Sequence, residues 1–321
     1  MKTIGFVDYY ISEWHANNYP AWIKQANEKL GLDYEVAYAW AEEDVSPVDG
    51  ITTEEWCKKF GVTQCKTLKE LCEKTDYILV LAPSNPEKHL GYAEEVLKYG
   101  KNTYIDKTFA PDYQTAEQIF AIAKQYGTKF FSSSALRYST ELNGVKDAVK
   151  VAIKGGGGNL PEYIVHQTEM VVKTLGLGAK SICTERLGEN HYLCKIGYAD
   201  GRNASMEYRT DYPFAIAWES ANGTKGNAEI VSDMFVYLLE NILKFYESGE
   251  LPFDSAQTLE VMRIREGAVK GVERLGEKIT LYGRNDENVT GGDYWLRADF
   301  RQALCSRESI GAIETCRLLR C

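Results

Sequence analysis

Three short stretches of this chain hold the side chains best suited to chemistry. The first, Asp8 to His15, reads Asp-Tyr-Tyr-Ile-Ser-Glu-Trp-His and combines two acids, three aromatic rings and an imidazole. The second, Pro83 to His89, holds Asn85 and ends on a histidine; the third, Asp106 to Pro111, opens on an Asp-Lys pair. Each follows a short apolar run (Thr3–Val7, Tyr77–Ala82, Thr103–Ile105) that reads as a buried β-strand. In an open parallel sheet a ligand lies beyond the carboxyl ends of the strands, near the point where strand order reverses. These loops are therefore where a ligand would be met. Farther along, Glu162 and His166 stand four residues apart, so on a helix they share a face and can address one substrate together. An imidazole, with an unperturbed pKa near ~6.5, can take and return a proton at neutral pH.

The elements that must position these residues follow from periodicity and stop signals. A helix is expected over Asn18–Leu30 before Gly31, a second strand over Tyr34–Ala39, and helices over Thr53–Phe60 and Thr67–Lys74, each opened by a threonine. Glu70 completes a capping box on Thr67 in this reading. A helix from about Pro86 to Tyr99, another over Tyr113–Tyr126 and a strand over Lys129–Ser133 continue the rhythm. Such alternation predicts a doubly wound parallel sheet over residues 1–134. After it, residues 135–281 read as an α+β domain: a Gly155–Gly158 run, a helix over Tyr163–Leu175, and strands between Ser181 and Ile230 broken by turns at Gly188-Glu189-Asn190, Asp200-Gly201 and Asn222-Gly223. Consecutive hairpins imply a largely antiparallel sheet, which the helices Ser232–Ser248 and Ser255–Arg274, the latter capped by Ser255, are expected to cover. Residues 282–321 hold six arginines and no lysine, against seven arginines and 24 lysines before them, and form a tail to which no chemistry is assigned.

Composition narrows the function classes. At 321 residues, 44% apolar and 26% charged, the chain is long enough for two domains with real cores. A formal charge of −9 gives no basic stripe for phosphates, so nucleic acid and anionic membranes are disfavoured and a small-molecule substrate is expected. The longest apolar runs, Tyr77–Ala82 among them, have six residues, far short of the ~20 that a membrane-spanning helix needs. Eight cysteines without a CxxC pair suit a reducing compartment, so the cytoplasm is expected; the spacing of Cys57, Cys65 and Cys72, with no histidine nearby, suits no common zinc site, and no metal is expected.

The loop after the first strand is where a dinucleotide's pyrophosphate would be cradled, and there glycines let backbone amides approach it. The three positions fall here on Asp8, Tyr10 and Glu13. Two readings stay open: a remodelled pocket in which Tyr9, Tyr10 and Trp14 stack on a ligand, or aromatic packing over a loop that no longer binds phosphate. The second strand ends with Trp40 where an acid would hold the adenosine ribose; Glu42 and Glu43 follow it.

Residues 76–108 carry a specific resemblance. They read Asp-Tyr-Ile-Leu-Val-Leu-Ala-Pro-Ser-Asn-Pro-Glu-Lys-His, then a helix, then Gly-Lys-Asn-Thr-Tyr-Ile-Asp-Lys-Thr. This resembles the Ala/Thr-Pro turn, the following histidine and the Gly-Lys…Glu-Lys-Pro strand end of the glucose–fructose oxidoreductase, inositol dehydrogenase and rhizopine-catabolism (Gfo/Idh/MocA) family, and the likeness extends over about residues 2–281. The resemblance implies a Rossmann-type N-terminal domain and an NAD or NADP cofactor met by Asp8, Tyr9, Tyr10, Trp40, Pro83, Asn85, His89, Asp106 and Lys107. It implies a sugar or polyol substrate near Trp14, Arg137 and His166, with Lys107, His166 and Glu162 in the catalytic positions, His166 moving the hydroxyl proton with help from Lys107. Homodimers or homotetramers are also implied. The alternative is a non-enzymatic sugar- or nucleotide-binding regulator that keeps the fold.

Overall fold

The computed structural model describes residues 1–281. The tail at 282–321 lies outside the described residues. Six parallel strands form the first sheet: β1 (Lys2–Asp8), β2 (Tyr34–Ala41), β3 (Thr63–Gln64), β4 (Tyr77–Val80), β5 (Thr103–Ile105) and β6 (Phe130–Phe131), in the order β3-β2-β1-β4-β5-β6. Strand order reverses between β1 and β4, so the loops after β1, β4 and β5 open at the switch point. Helices α1 (Trp14–Leu30), α2 (Thr53–Phe60), α3 (Leu68–Lys74), α4 (His89–Val96) and α5 (Tyr113–Tyr126) connect them.

Local chemistry sets the helix ends. Helix α2 starts at a full capping box between Thr52 and Glu55 and stops at Gly61, whose left-handed φ of 70° suits glycine. The box expected at Thr67 is only half formed: Thr67 caps the Glu70 amide, but the Glu70 carboxylate turns to the Lys66 amide, 2.7 Å away. Helix α1 begins four residues earlier than expected, because the Glu13 side chain caps it.

The second sheet holds β7 (Ala148–Gly155), β8 (Ala179–Gly188), β9 (His191–Tyr198), β10 (Asn203–Arg209), β11 (Ala215–Ser220), β12 (Lys225–Glu229) and β13 (Lys278–Thr280), in the order β12-β11-β7-β10-β9-β8-β13. It is mixed, since β7 runs parallel to β10 and every other pairing is antiparallel. Strand β7 was not foreseen, although Val151 and Ile153 buried between Lys150 and Lys154 are the alternation that marks a strand.

Helices α6 (Leu160–Leu175) and α8 (Ala256–Glu273) cover this sheet through a core that includes Ile164, Val171, Ile182, Met206 and Ile264. The Ser255 side chain makes no cap; Asp254 accepts from the Ala256 amide instead. Helix α7 (Met234–Ser248) does not cover the second sheet as expected. Leu238, Leu239, Ile242, Leu243, Phe245 and Tyr246 pack with Ile4, Phe6, Leu79, Tyr104 and Phe131 of the first sheet, and the Tyr246 hydroxyl donates to the Ile78 carbonyl at 2.7 Å. A parallel sheet must be covered on both faces, and α7 brings the chain back to supply part of that cover.

Candidate active site

Asp106, at the carboxyl end of β5, is the hub of a buried polar cluster. It is 1% exposed; one carboxylate oxygen accepts from the Lys107 amide at 2.7 Å and the Tyr104 hydroxyl at 3.1 Å, while the other accepts from the Tyr19 hydroxyl at 3.3 Å and faces His15 Nε2 at 3.8 Å. The other ring nitrogen of His15 lies 3.2 Å from Glu13. Burial, with the Asp106 charge next, holds the Tyr19 and Tyr104 hydroxyls well above the ordinary tyrosine range, so both stay protonated donors.

Lys107 follows and is 7% exposed, with no carboxylate partner among the described residues. Its Nζ lies 5.9 Å from the Tyr163 ring centroid, and that ring is 5.6 Å from the ring of His166. Tyr163 can lie this close because of the glycine run before α6. A Cβ at Gly157, where φ is +143°, would fall 1.9 Å from the Tyr163 ring, and one at Gly156 would fall 2.0 Å from the Arg209 carbonyl. The run is thus a close approach of backbone and ring. The peptide between Lys107 and Thr108 is cis, threonine standing where the resemblance expects proline.

Glu162 and His166 both lie on α6, but they do different things. The Glu162 carboxylate accepts from Ser84 at 2.6 Å and Asn159 at 3.2 Å, and its carbonyl accepts from Thr108 at 3.4 Å, so it ties the β4 and β5 loops to α6. The His166 ring is half-buried, with Nδ1 at 2.7 Å from Ser134 Oγ. Desolvation, then the nearby Lys107 and His15, push its pKa well below the ordinary histidine value.

Two expected site residues are placed elsewhere. His89 is wholly buried, with its ring nitrogens 2.7 Å from the Leu81 carbonyl and 3.0 Å from the Phe109 carbonyl, so it clamps the β4 loop to the β5 loop and presents no edge to a cofactor. Arg137 is 3% exposed, paired with Glu169, hydrogen-bonded to Gln257 at 2.8 Å and stacked 3.9 Å above the Phe253 ring; it braces the structure behind His166 and does not face a substrate. At the rim, Trp14 is 53% exposed and packs on Trp22 and Phe235, while Trp40 packs edge-on against Tyr92. Glu42 is engaged by Lys88 at 2.5 Å and by the Tyr92 hydroxyl at 2.8 Å. Pro83 is buried in the β4 turn, and Asn85 beside it donates to Glu87 at 3.0 Å. Sequence reading placed Glu13 only at a position where a loop glycine is missing, and gave no role to Tyr19, Tyr163 or Ser134. Glu13 carries no ordinary cap signal, since the usual N-cap residues are Ser, Thr, Asp and Asn.

The cradle for a pyrophosphate can be tested amide by amide. At the start of α1 the Glu13 carboxylate accepts from the His15 amide at 2.8 Å and from the Ala16 amide, while the Asn17 amide goes to the Glu13 carbonyl. The His15, Ala16 and Asn17 amides, among the donors that a helix N-terminus offers an anion, are thus filled from within the chain. Asp8 is buried beside them; one oxygen accepts from the Tyr9 amide at 2.7 Å and the Ala82 amide at 3.0 Å, and the other has no partner among the described residues. Burial, with the Glu13 charge next, raises its pKa well above the carboxylate range, which favours the neutral acid. Tyr9 and Tyr10 lie against each other at 5.8 Å, with Lys88 Nζ 4.5 Å above the Tyr9 ring. The residues present fit the nicotinamide end of a dinucleotide, where the Asp106-Lys107 strand end meets α6; they do not fit its pyrophosphate in the usual seat while Glu13 holds these amides.

Among the described residues no helix is long and apolar enough to cross a membrane, and no three His, Cys, Asp or Glu side chains are grouped to hold a metal ion.

A six-stranded parallel sheet whose strand order reverses between β1 and β4, beside a mixed sheet, is a Rossmann-type doubly wound fold with an added α+β region. Residues 43–134 match the family profile GFO_IDH_MocA, described as "Oxidoreductase family, NAD-binding Rossmann fold". The match begins beyond the Asp8–His15 loop, where the glycines are missing. A stretch of 60 residues is 35% identical to the uncharacterized oxidoreductase YhhX of Escherichia coli K12, covering 19% of this chain and 17% of that protein. The fold is similar to that of a probable dehydrogenase from Thermotoga maritima (TM-score 0.70, 13% identity, 87% of this chain and 98% of that one). It is also similar to that of a putative myo-inositol dehydrogenase from Sinorhizobium meliloti (TM-score 0.68, 13% identity, 88% of this chain and 100% of that one).

Proposed function

We propose that the chain is an NAD(P)-linked oxidoreductase acting on a hydroxyl or carbonyl carbon of a sugar or polyol held between the β5 loop and α6. The observation that carries the reading is Lys107: a buried ammonium without a carboxylate partner, at the carboxyl end of a switch-point strand, beside Tyr163 and His166. A positive charge left unpaired in such a place is costly unless a reacting oxygen makes use of it. When bound, a nicotinamide supplies or accepts hydride. The chain's own residues do the rest: in the carbonyl-reducing direction the Lys107 ammonium gives a proton to the reacting oxygen and becomes the amine, in the alcohol-oxidising direction the Lys107 amine takes the hydroxyl proton and becomes the ammonium, His166 hydrogen-bonds that oxygen, and Asp106 fixes the Lys107 backbone. Glu162 holds the two sides of the crevice in register through Ser84 and Thr108. The myo-inositol name of one structural neighbour supports the polyol class. The Tyr163 face could take the apolar side of a sugar ring.

A second reading, a sugar- or nucleotide-binding protein without catalysis, is favoured by one observation, the filled amides at the start of α1. Turnover separates the two. A panel of polyols and sugars with NAD+ and NADP+, followed by the absorbance of the reduced nicotinamide, should show cofactor-dependent oxidation with at least one member. Loss of that activity in Lys107→Ala with an unchanged melting temperature is the expected companion result; undiminished turnover in the folded variant removes Lys107 from the mechanism.

A further inference from the structure

Ser134 lies wholly buried just after β6, where the chain passes into a 3-10 turn over Ala135–Tyr138. Its Oγ accepts from the Leu136 amide at 3.2 Å and lies 2.7 Å from His166 Nδ1; its own amide donates to Glu169 at 3.3 Å, and Glu169 is held by Arg137. A serine hydroxyl has one hydrogen and two lone pairs. One lone pair is taken by Leu136. If His166 Nδ1 carried a proton it would take the second, and the serine hydrogen would then be left in a wholly buried place with no acceptor among its described contacts, a costly arrangement. The consistent assignment is that Ser134 donates to Nδ1. The imidazole proton then sits on Nε2, which makes no hydrogen bond within the described chain. Burial and the charge of Lys107 favour the neutral ring.

We propose that Ser134 is a positioning residue that fixes His166 as the neutral Nε2–H tautomer, so that His166 meets the substrate as a hydrogen-bond donor to an oxygen lone pair. This replaces the proton-taking role expected of His166 from sequence and leaves Lys107 as the proton carrier. The ligand group at this point is therefore an acceptor, a carbonyl oxygen or the lone pair of an alcohol. Only that last statement rests on the oxidoreductase reading; the tautomer belongs to the chain by itself.

The test is a long-range proton–nitrogen-15 correlation spectrum of the full-length, uniformly labelled protein without ligand. The chain has four histidines, and His166→Gln identifies the signals of interest by difference. At neutral pH the wild type should show His166 neutral, with Nε2 protonated and Nδ1 bare. Ser134→Ala should shift His166 toward a mixture of tautomers or the Nδ1–H form, and Ser134→Thr, which keeps the hydroxyl, should restore the wild-type pattern. A wild-type His166 that is an imidazolium or carries its proton on Nδ1 overturns the proposal, as does a folded Ser134→Ala with an unchanged pattern. If Ser134→Ala does not fold, the wild-type and Ser134→Thr spectra still decide. Because no cofactor or substrate is present, a failed tautomer assignment is distinguishable from a failed oxidoreductase reading, which would show as absent turnover with the expected spectrum.

Discussion

Replacing Glu13 by glutamine tests how the missing glycine loop bears on cofactor binding. Its carboxylate accepts from the His15 and Ala16 amides and is itself buried. A phosphate seeking those amides must come within ~5 Å of that carboxylate, where two unit charges at an effective dielectric of ~20 repel by ~3 kcal/mol, about a hundredfold in affinity. Glutamine keeps the shape and one acceptor oxygen but removes the charge, so the helix loses ~1 kcal/mol of capping. Calorimetric titration with ADP-ribose, which carries the pyrophosphate without the nicotinamide, should therefore show Glu13→Gln binding about a hundredfold tighter than wild type, with a slightly lower melting temperature. Glu54→Gln, an exposed acid in the first turn of α2, controls for net charge and should change nothing. Equal affinity for wild type and Glu13→Gln would refute the argument, and so would an equal gain in Glu54→Gln.

Other outcomes follow from the same contacts. Asp8→Asn should melt higher than wild type at pH 7. The folded-state pKa of Asp8 is raised, so Asp8 costs stability as pH climbs from the unfolded carboxylate range through its folded pKa, and the advantage of the variant should shrink as pH falls back through that range. Arg137→Ala strands the Glu169 carboxylate in the interior and should cost ~3–5 kcal/mol in denaturant unfolding; a loss under about 1 kcal/mol would show that the pair is not buried in solution. Gly157→Ala meets both the Tyr163 ring and a positive φ, and should lower the melting temperature and turnover together; wild-type values in both would remove Tyr163 from its place beside Lys107.

Much of the fold was legible because apolar runs such as Ile78-Leu79-Val80 and glycine stops such as Gly31 are local signals, and they match β4 and the end of α1. The placement of α7 was not legible, since its apolar face suits either sheet and only the need to cover Ile4, Phe6 and Leu79 decides. Strand β7 was hidden by its alternating lysines, which resemble a solvated loop until Val151 and Ile153 are paired with β10 and β11. Lys107 and His166 were named from spacing and resemblance, and both lie beside the Tyr163 ring. The capping role of Glu13 and the contacts of Ser134 and Tyr163 were not legible, because they rest on amides, a lone pair and a glycine approach that exist only once the chain is folded. Arg137 and His89 were drawn toward the site by the family resemblance, His89 with positioning of the Ala-Pro turn as the alternative; burial pairs Arg137 with Glu169 and sets His89 to hold that turn.

Binding of a nicotinamide dinucleotide is read outright by a fluorescence titration of NADH and NADPH into the wild-type protein and Glu13→Gln. A saturable signal with at least one cofactor in the wild type, strengthened in Glu13→Gln and kept in Lys107→Ala, is the predicted result. Silence toward both cofactors in both the wild type and Glu13→Gln would contradict an NAD(P)-linked oxidoreductase and leave a binding protein on a dehydrogenase fold.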